Sequence, residues 1–355
     1  MKIKQVRVRQ EDLELTRPYT IAYKAVNHVS NCIVELETDT GQVGRGAANP
    51  SQAVVGVDVN DTVAALSDEA VDWLVGGDIR ELHRLGAEGQ RRFAEQPGAA
   101  AALDMALYDL FAQYLEVPLV RYLGQCHSSL PTSITIGIKG VDETVAEGQE
   151  YVERGFRYLK VKLGHSPEED RERLAKLREA LGKDVIIRVD ANQGYSFEQL
   201  ENFYDQTLSL NLELIEQPLP VAATEAYRRL PSEVRERIAL DESLVNLTDA
   251  WQLASRPSAG GIFNIKLMKC GGITPAREIA TVAKGAGIDL MWGCNDESII
   301  SIAAALHLAL ATPNTKYLDL DGSFDLARDV VSGGFDVREG CLSVTDAPGL
   351  GVRRS

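Results

Sequence analysis

The sequence predicts an α/β protein in which a barrel of eight parallel strands follows an N-terminal α+β unit. After Pro131, short apolar runs alternate with amphipathic helical stretches at intervals of about 25 residues. The apolar runs are nearly continuous, which is typical of parallel strands buried on both faces. A doubly wound open sheet is disfavoured because the first run lacks the Gly-rich phosphate turn that usually follows it there.

The N-terminal unit is predicted from a different pattern. Residues 2–9 and 31–38 alternate polar and apolar side chains, as half-buried antiparallel strands do. Residues 39–48 carry turn glycines and lead into a loop through about Val57, and residues 60–115 have helical periodicity. We therefore expect three strands followed by a helical bundle.

The eight barrel strands are read from the apolar runs, and all but the last are followed by a helical stretch. They are predicted at residues 133–138, 158–163, 185–191, 212–217, 238–243, 262–267, 289–293 and 316–321. A small hairpin is expected at residues 333–344. The predicted domains are a cap at 1–125, the barrel at 126–324, and a segment at 325–355 that rejoins the cap.

Composition excludes several classes of function. A net charge of -15 argues against nucleic acid as a partner, because such binding needs a concentrated basic surface. The five cysteines are odd in number and lack close pairs, so neither a disulfide framework nor a structural zinc site is indicated. No segment resembles a signal peptide or reaches the roughly 18 apolar residues of a membrane span. We expect a cytoplasmic protein without a membrane partner.

Three acids are placed at or near the ends of consecutive predicted strands: Asp190, Glu216 and Asp241. They are about 25 residues apart, one strand–helix unit each, and so share the rim where barrel active sites lie. Clustered carboxylates repel one another unless a cation holds them, and all-oxygen ligands favour Mg²⁺. The alternative for each single acid is capping of the following helix.

Lysines stand on both sides of this trio. Lys160 and Lys162 alternate along one strand and point to the same side, where each ammonium should depress the pKa of the other. Lys266 stands one unit after Asp241, so Lys162 and Lys266 should approach a substrate from opposite sides as proton acceptor and donor. The alternative for Lys266 is an ion pair with one of the acids. Lys269 is expected in a solvated surface role.

An acidic pair, Asp319 and Asp321, shares one face of the last strand by the same alternation. Because the metal already has its ligands, a substrate ammonium is the natural partner of this pair. Capping or hairpin chemistry ahead of Gly322 is the alternative. The five histidines lie away from the strand ends, which disfavours a histidine-based mechanism.

The motifs KVK, DANQ, EQP, DES and NIKLMKCGG, in this order and spacing, resemble the enolase superfamily and specifically its muconate-lactonizing-enzyme subgroup. The resemblance covers essentially the whole chain. It implies a modified TIM barrel, (β/α)7β, with an α+β capping domain built from both chain ends. It also implies Mg²⁺ on the three acids and proton transfer by Lys162 and Lys266. Lys160 would lie near the substrate carboxylate, Asn192 near the metal, and Thr135 against the substrate.

Within that subgroup, Asp319 and Asp321 resemble the DxD signature of dipeptide epimerases, which epimerise the C-terminal residue of a dipeptide. Members that prefer Ala-Glu carry an arginine where Lys24 stands here and an apolar residue where Asp296 stands. An acid at that second place resembles members that act on dipeptides with Lys or Arg side chains. The resemblance therefore implies a dipeptide epimerase leaning to cationic substrates.

Three alternatives stay open: an L-Ala-D/L-Glu epimerase, a cycloisomerase or o-succinylbenzoate synthase of the same subgroup, and a barrel that binds peptides without catalysis. The expected partners are a dipeptide substrate and further copies of the same chain as a homo-oligomer.

Overall fold

The structure, a computed structural model, describes residues 1–21, 24–164 and 166–355, with the side chains of residues 18–26 outside the description. Lys24 is one of these, so the prediction for its side chain lies outside the described residues. Among the described helices, none is long and apolar enough to cross a membrane.

The N-terminal part is an antiparallel sheet in the order β1-β2-β3, covered by helices. Its strands are β1 (Ile3–Ile21), β2 (Lys24–Thr38) and β3 (Val43–Ala48). Its helices are α1 (Gln52–Val55), α2 (Val59–Ala65), α3 (Asp68–Val71), α4 (Leu82–Arg92), α5 (Pro97–Tyr114) and α6 (Leu119–Leu123).

Two glycines that the sequence placed in a turn lie within β3 instead. A Cβ at Gly46 would stand 1.8 Å from the carbonyl oxygen of Ala102, and one at Gly44 would stand 2.3 Å from that of Ala106. The glycines therefore allow α5 to pack directly on the sheet backbone. The sequence shows where the glycines stand, but it does not show whether a glycine is needed for a turn or for the close packing of another element against its backbone.

The barrel that follows contains the eight predicted strands, each shorter than or as long as predicted. They are β5 (Ile134–Ile136), β6 (Tyr158–Lys162), β7 (Ile186–Asp190), β8 (Ile215–Glu216), β9 (Ile238–Leu240), β10 (Ile262–Ile265), β11 (Asp289–Gly293) and β12 (Thr315–Asp319), preceded by the short β4 (Leu130–Pro131). The helices are α7 (Val141–Glu153), α8 (Pro167–Leu181), α9 (Phe197–Thr207), α10 (Ser232–Arg235), α11 (Leu247–Ala254), α12 (Leu267–Cys270), α13 (Ile273–Ala286) and α14 (Ile299–Ala311).

The eight strands form one parallel sheet in the order β12-β11-β10-β9-β8-β7-β6-β5. The sheet closes where β12 meets the residues before β5: Thr132 and Leu318 form an isolated bridge, and the Ser133 amide donates to the Leu318 carbonyl at 3.0 Å. This closure is called the barrel seam below. The α/β barrel with a separate antiparallel sheet confirms the predicted fold class.

The C-terminal residues form four short strands, β13 (Val331–Gly333), β14 (Phe335–Arg338), β15 (Cys341–Val344) and β16 (Val352–Arg354). The hairpin expected at 333–344 corresponds to β14 and β15, which pair antiparallel, and β15 also pairs with β4. Further on, the Leu350 amide donates to Asp109 of α5 at 2.8 Å. The division at residues 125 and 325 stays a prediction.

Candidate active site

Three buried carboxylates stand at the finishing ends of neighbouring strands. Asp190 ends β7, Glu216 ends β8 and is its register partner, and Asp241 directly follows β9. All three are at most 3% exposed. The helices α9 and α11 are capped by other residues, Ser196 and Asn246, so Asp190 and Asp241 do not serve as helix caps.

Two lysines flank this trio from opposite sides of the barrel. Lys162 ends β6, and Lys266 follows β10, four strands further round the eight-stranded sheet. Lys162 Nζ lies 2.6 Å from Asp190 Oδ2, and Lys266 Nζ lies 2.8 Å from Asp241 Oδ2. The ion pair given as an alternative for Lys266 is thus present, and it also places the ammonium at the rim of the site.

Lys160 lies at the centre of the charged cluster. Its Nζ is 2.7 Å from Asp319, 2.8 Å from Glu216 and 3.3 Å from Asp190. Burial lowers the pKa of Lys160, but these carboxylates outweigh burial and raise it well above its ordinary value. The expectation that two ammoniums depress the pKa of Lys160 is therefore wrong, because three acids surround it.

Lys269 is buried, contrary to the surface role expected for it. It lies in α12 and is 5% exposed. Its Nζ donates to Asp241 Oδ1, to the Asp241 carbonyl at 2.6 Å and to the Asn264 carbonyl at 3.2 Å. The short helix turns Lys269 back over the strand ends, which periodicity in the sequence does not reveal.

The charges of the trio are unevenly satisfied. Burial and the neighbouring Asp190 raise the pKa of Glu216 to about 8, against the opposing effect of Lys160. Burial acts in the same direction on Asp241, yet Lys266 and Lys269 hold its pKa well below the usual range. Among the described residues, Glu216 Oε2 accepts no hydrogen bond of good geometry, although Lys160 Nζ lies 2.8 Å away.

These acids fit a hard divalent cation by their chemistry. Three carboxylates with an under-satisfied oxygen on Glu216 form the donor set that Mg²⁺ prefers. As the side chains stand, no three acid, histidine or cysteine groups in the described ranges converge closely enough to hold a metal together. Lysine ammoniums occupy the carboxylate oxygens at 2.6–3.3 Å, so binding would exchange these pairs for the ion.

Two amide side chains support the trio and were missed by the sequence argument. Gln217 holds the strand-end loop: its Oε1 accepts from the amides of Asp241 at 3.1 Å and Ser243 at 3.2 Å. Asn264 Nδ2 donates to Glu216 Oε1 at 2.8 Å. Asn264 could have been found, because it stands two positions before Lys266 and so shares the inner face of its strand.

The acidic pair divides into a buried and a more open member. Asp319 is 3% exposed and bonded on both oxygens, by Ser133 Oγ at 2.7 Å and by Lys160 Nζ at 2.7 Å. Asp321 is half-buried and accepts the Thr135 amide at 2.7 Å. Burial and the charge of Asp319 raise the pKa of Asp321 to about 7. The structure thus brings Asp319, Asp321, Thr135 and Lys160 together.

The remaining predicted residues lie around the same rim. Asn192 Oδ1 accepts from Lys162 Nζ at 3.1 Å, and the Asn192 backbone N–H donates to Asp190 Oδ1 at 2.9 Å. Asp296 follows β11 and is half-buried, and its carbonyl accepts from Asn49 Nδ2 of the N-terminal part at 2.6 Å.

Chemically, the arrangement is a cluster of buried carboxylates between two opposed amines. Such a site can hold a small carboxylate and move a proton to and from the neighbouring carbon.

The chain matches known proteins over nearly its full length. Residues 3–124 match the family model "Mandelate racemase / muconate lactonizing enzyme, N-terminal domain", and residues 143–354 match "Enolase C-terminal domain-like". An L-Lys-D/L-Arg epimerase of Methylococcus capsulatus is 55% identical over 352 residues, which is 99% of each chain. Another from Desulforapulum autotrophicum is 51% identical over 354 residues, 100% of each chain. The crystal structure of the Methylococcus capsulatus dipeptide epimerase with Mg and L-Arg-D-Lys has a TM-score of 0.97 at 55% identity, covering 99% of each chain.

Proposed function

The chain belongs to the mandelate racemase/muconate lactonizing enzyme family of the enolase superfamily, and on that premise we propose a Mg²⁺-dependent dipeptide epimerase that favours cationic residues. It interconverts the L and D configurations at the C-terminal residue of a dipeptide. The observation that carries the proposal is the placement of Lys162 and Lys266 on opposite sides of the barrel, with the carboxylate trio between them.

The reaction needs one base on each face of the substrate. The α C–H bond breaks as one lysine takes the proton on its Nζ, and the electron pair moves into the substrate carboxylate as an enolate. The ammonium of the opposite lysine then delivers a proton to the other face of the same carbon. Which lysine acts first depends on the configuration of the starting dipeptide.

Asp190, Glu216 and Asp241 would hold the magnesium ion. When bound, Mg²⁺ supplies positive charge that stabilises the additional negative charge on the substrate carboxylate. Asn264 and Gln217 keep Glu216 and the Asp241 loop in place, through the hydrogen bonds at 2.8 Å and 3.1 Å described above. Asn192, whose backbone lies in the left-handed region at φ 41°, fixes Lys162 beside Asp190.

The α-ammonium of the dipeptide is assigned to the Asp319–Asp321 pair. Asp321 is the less buried member of the pair, and its Oδ2 accepts the Thr135 amide at 2.7 Å. Asp319 contributes its negative charge rather than a new hydrogen bond, because both of its oxygens are already bonded. An ammonium in this place gains an opposite charge from the two carboxylates, which a substrate without an ammonium does not use.

A cationic side chain on the substrate is supported by Asp296, an acid that follows β11 on the barrel rim. Lys24 is a further residue proposed to contact the substrate, but its ammonium suits an acidic side chain and does not contribute to the cationic preference. The relatives named L-Lys-D/L-Arg epimerases support the same preference.

The test is exchange of the α-proton in heavy water, followed by mass spectrometry and chiral analysis of the product. L-Lys-L-Arg and L-Arg-L-Lys should each gain one deuteron at the C-terminal α-carbon and accumulate the D-epimer. L-Ala-L-Glu serves as the matched anionic dipeptide and should exchange far more slowly. The cationic preference is refuted if L-Ala-L-Glu exchanges its α-proton rapidly while neither cationic dipeptide does. The epimerase itself is refuted if no dipeptide exchanges its α-proton.

Two further expectations belong to this proposal. Self-association into a homo-oligomer is supported by exposed apolar side chains such as Trp251, which is 64% exposed, and sedimentation equilibrium would measure it. A cytoplasmic location is supported by the five cysteines, all present as free thiols. Fractionation of the source cells would test it.

A further inference from the structure

A buried arginine lies below the site and takes no part in the proton transfers described above. Arg188 of β7 is 1% exposed, and its guanidinium carbon lies 4.9 Å from the ring of Tyr158 and 5.2 Å from the ring of Tyr317. Its Nε donates to Glu213 at 2.6 Å. Because the Glu213 side chain is 28% exposed, this ion pair is only partly buried, and its contribution to stability alone does not account for a buried guanidinium.

The other end of the guanidinium reaches the barrel seam. Nη1 donates to the Leu318 carbonyl at 2.7 Å and to Ser133 Oγ at 3.3 Å. At the seam, regular strand pairing is replaced by one isolated bridge between Thr132 and Leu318. Arg188 therefore connects β7 to both sides of the closure.

The contact with arginine fixes the direction of the serine hydroxyl. A guanidinium has donors only, so Ser133 Oγ must accept from Arg188 and keeps its single proton to donate. Two acceptors lie within reach, the Leu318 carbonyl at 3.2 Å and Asp319 Oδ1 at 2.7 Å. Because Arg188 already donates to the Leu318 carbonyl, the shorter and charge-assisted bond to Asp319 is favoured.

Asp319 connects the oriented Ser133 hydroxyl to the active site. With Oδ1 held by Ser133, its Oδ2 faces Lys160 Nζ at 2.7 Å, and Lys160 in turn reaches Glu216 at 2.8 Å. The result is a continuous buried chain of polar contacts from Arg188 to the carboxylate trio.

We propose that Arg188 and Ser133 are positioning residues that act through Asp319 to fix Lys160 against the substrate carboxylate. The proposal rests on the proposed function, because it assigns Lys160 to the substrate of that reaction. Substitution of either residue should therefore lower the turnover rate, although neither residue touches the substrate. Small displacements of groups that orient a substrate can lower the rate by about 100-fold.

The experiment compares four single variants of the full-length enzyme with Mg²⁺, one of which is Arg188→Met. Ser133→Ala removes the hydroxyl, Ser133→Thr keeps it, and Thr207→Val removes a buried hydroxyl far from the site. Thr207 is a matched control because it is 3% exposed and donates to the Phe203 carbonyl at 2.7 Å within α9. The folded fraction is measured by circular dichroism, and kcat is expressed per folded enzyme.

The expected result is a kcat lowered at least tenfold in Ser133→Ala, with KM within threefold of wild type. Ser133→Thr and Thr207→Val should stay within threefold of the wild-type kcat. Arg188→Met should lower kcat as Ser133→Ala does, and if it fails to fold, the two serine variants decide.

The proposal is overturned if Ser133→Ala keeps a kcat within twofold of wild type, or if folded Ser133→Thr is as slow as Ser133→Ala. These ratios are measured on whichever dipeptide wild type turns over. A wild-type enzyme that exchanges no dipeptide would instead contradict the proposed function, so the two failures are distinct.

Discussion

Along β8 to β12, one level of the barrel interior is a cluster of apolar side chains, whereas two positions further along the same strands the interior consists mostly of charged and amide side chains. The apolar layer consists of Leu214, Ala239, Ile262, Met291 and Tyr317. The inward positions that follow are Glu216, Asp241, Asn264, Gly293 and Asp319. Both layers are nearly inaccessible to water.

The two layers differ in how well they tolerate substitution of their side chains. An apolar layer needs volume and shape, and several side chains supply these about equally well. In the charged layer Glu216, Asp241 and Asp319 each lie beside a lysine ammonium, so the loss of one acid leaves a buried cation with a partner fewer. The charged layer should therefore tolerate little substitution, and the apolar layer much more.

The largest effect is expected at the two opposed lysines. Lys162→Ala and Lys266→Ala should each slow epimerisation by about 10² to 10⁴-fold, because each removes the proton donor or acceptor on one face. The measurement is the rate of D-epimer formation from a cationic dipeptide, with Met291→Leu as the control from the apolar layer. An alanine variant that keeps the wild-type rate would contradict the two-base assignment.

Lys269 offers a test of the charged layer by stability. Lys269→Met should lower the free energy of unfolding by about 3–5 kcal/mol in the Mg²⁺-depleted protein, since Asp241 keeps its buried charge with one partner fewer. Urea unfolding measures the change. The control is Lys316→Met, which breaks an exposed pair with Asp289 and should cost less than about 1 kcal/mol. Equal losses of unfolding free energy in the two variants would contradict the expected difference between buried and exposed ion pairs.

Magnesium should stabilise the protein through the charged layer alone. At 100 times its dissociation constant, Mg²⁺ should raise the free energy of unfolding by about 2.7 kcal/mol, because it binds the folded state. Thermal unfolding with Mg²⁺ and with a chelator measures the shift. Glu216→Gln should lose most of it, and Met291→Leu should keep it. Stabilisation that survives in Glu216→Gln would place the ion elsewhere.

The smallest effect is expected in the apolar layer. Met291→Leu conserves volume and should change the free energy of unfolding by less than about 1.5 kcal/mol, with kcat unchanged. Chemical denaturation and steady-state exchange measure the two quantities. A loss of activity at constant stability would show that the apolar layer also shapes the site.

Much of the site follows from two short-range rules. Alternation along a strand puts Lys160 and Lys162 on one side, and the repeat of about 25 residues puts Asp190, Glu216 and Asp241 on one rim. The same alternation marks Arg188 two positions before Asp190. The role of Arg188 does not follow from the sequence, because its partners Glu213, Ser133 and Leu318 come together only in the folded barrel.

Other features depend on residues that are far apart in the chain. Asp319 is predicted to face a substrate ammonium, but the sequence does not show that its two oxygens are bonded to Ser133 and Lys160, which lie 186 and 159 residues away. Lys269 looks like a loop residue until α12 folds it onto Asp241. Gly44 and Gly46 resemble turn glycines until α5 packs against them.

The sequence by itself determined the class of fold, the order of the strands and which acids and lysines share the barrel rim. These properties depend on the period of a strand and the length of a strand–helix unit, which are local. Only the tertiary structure decided which charge pairs with which, because closing the barrel brings Ser133 to Asp319 and Arg188 to the seam. Pairing is set by distances across the barrel, and no periodicity along the chain encodes them.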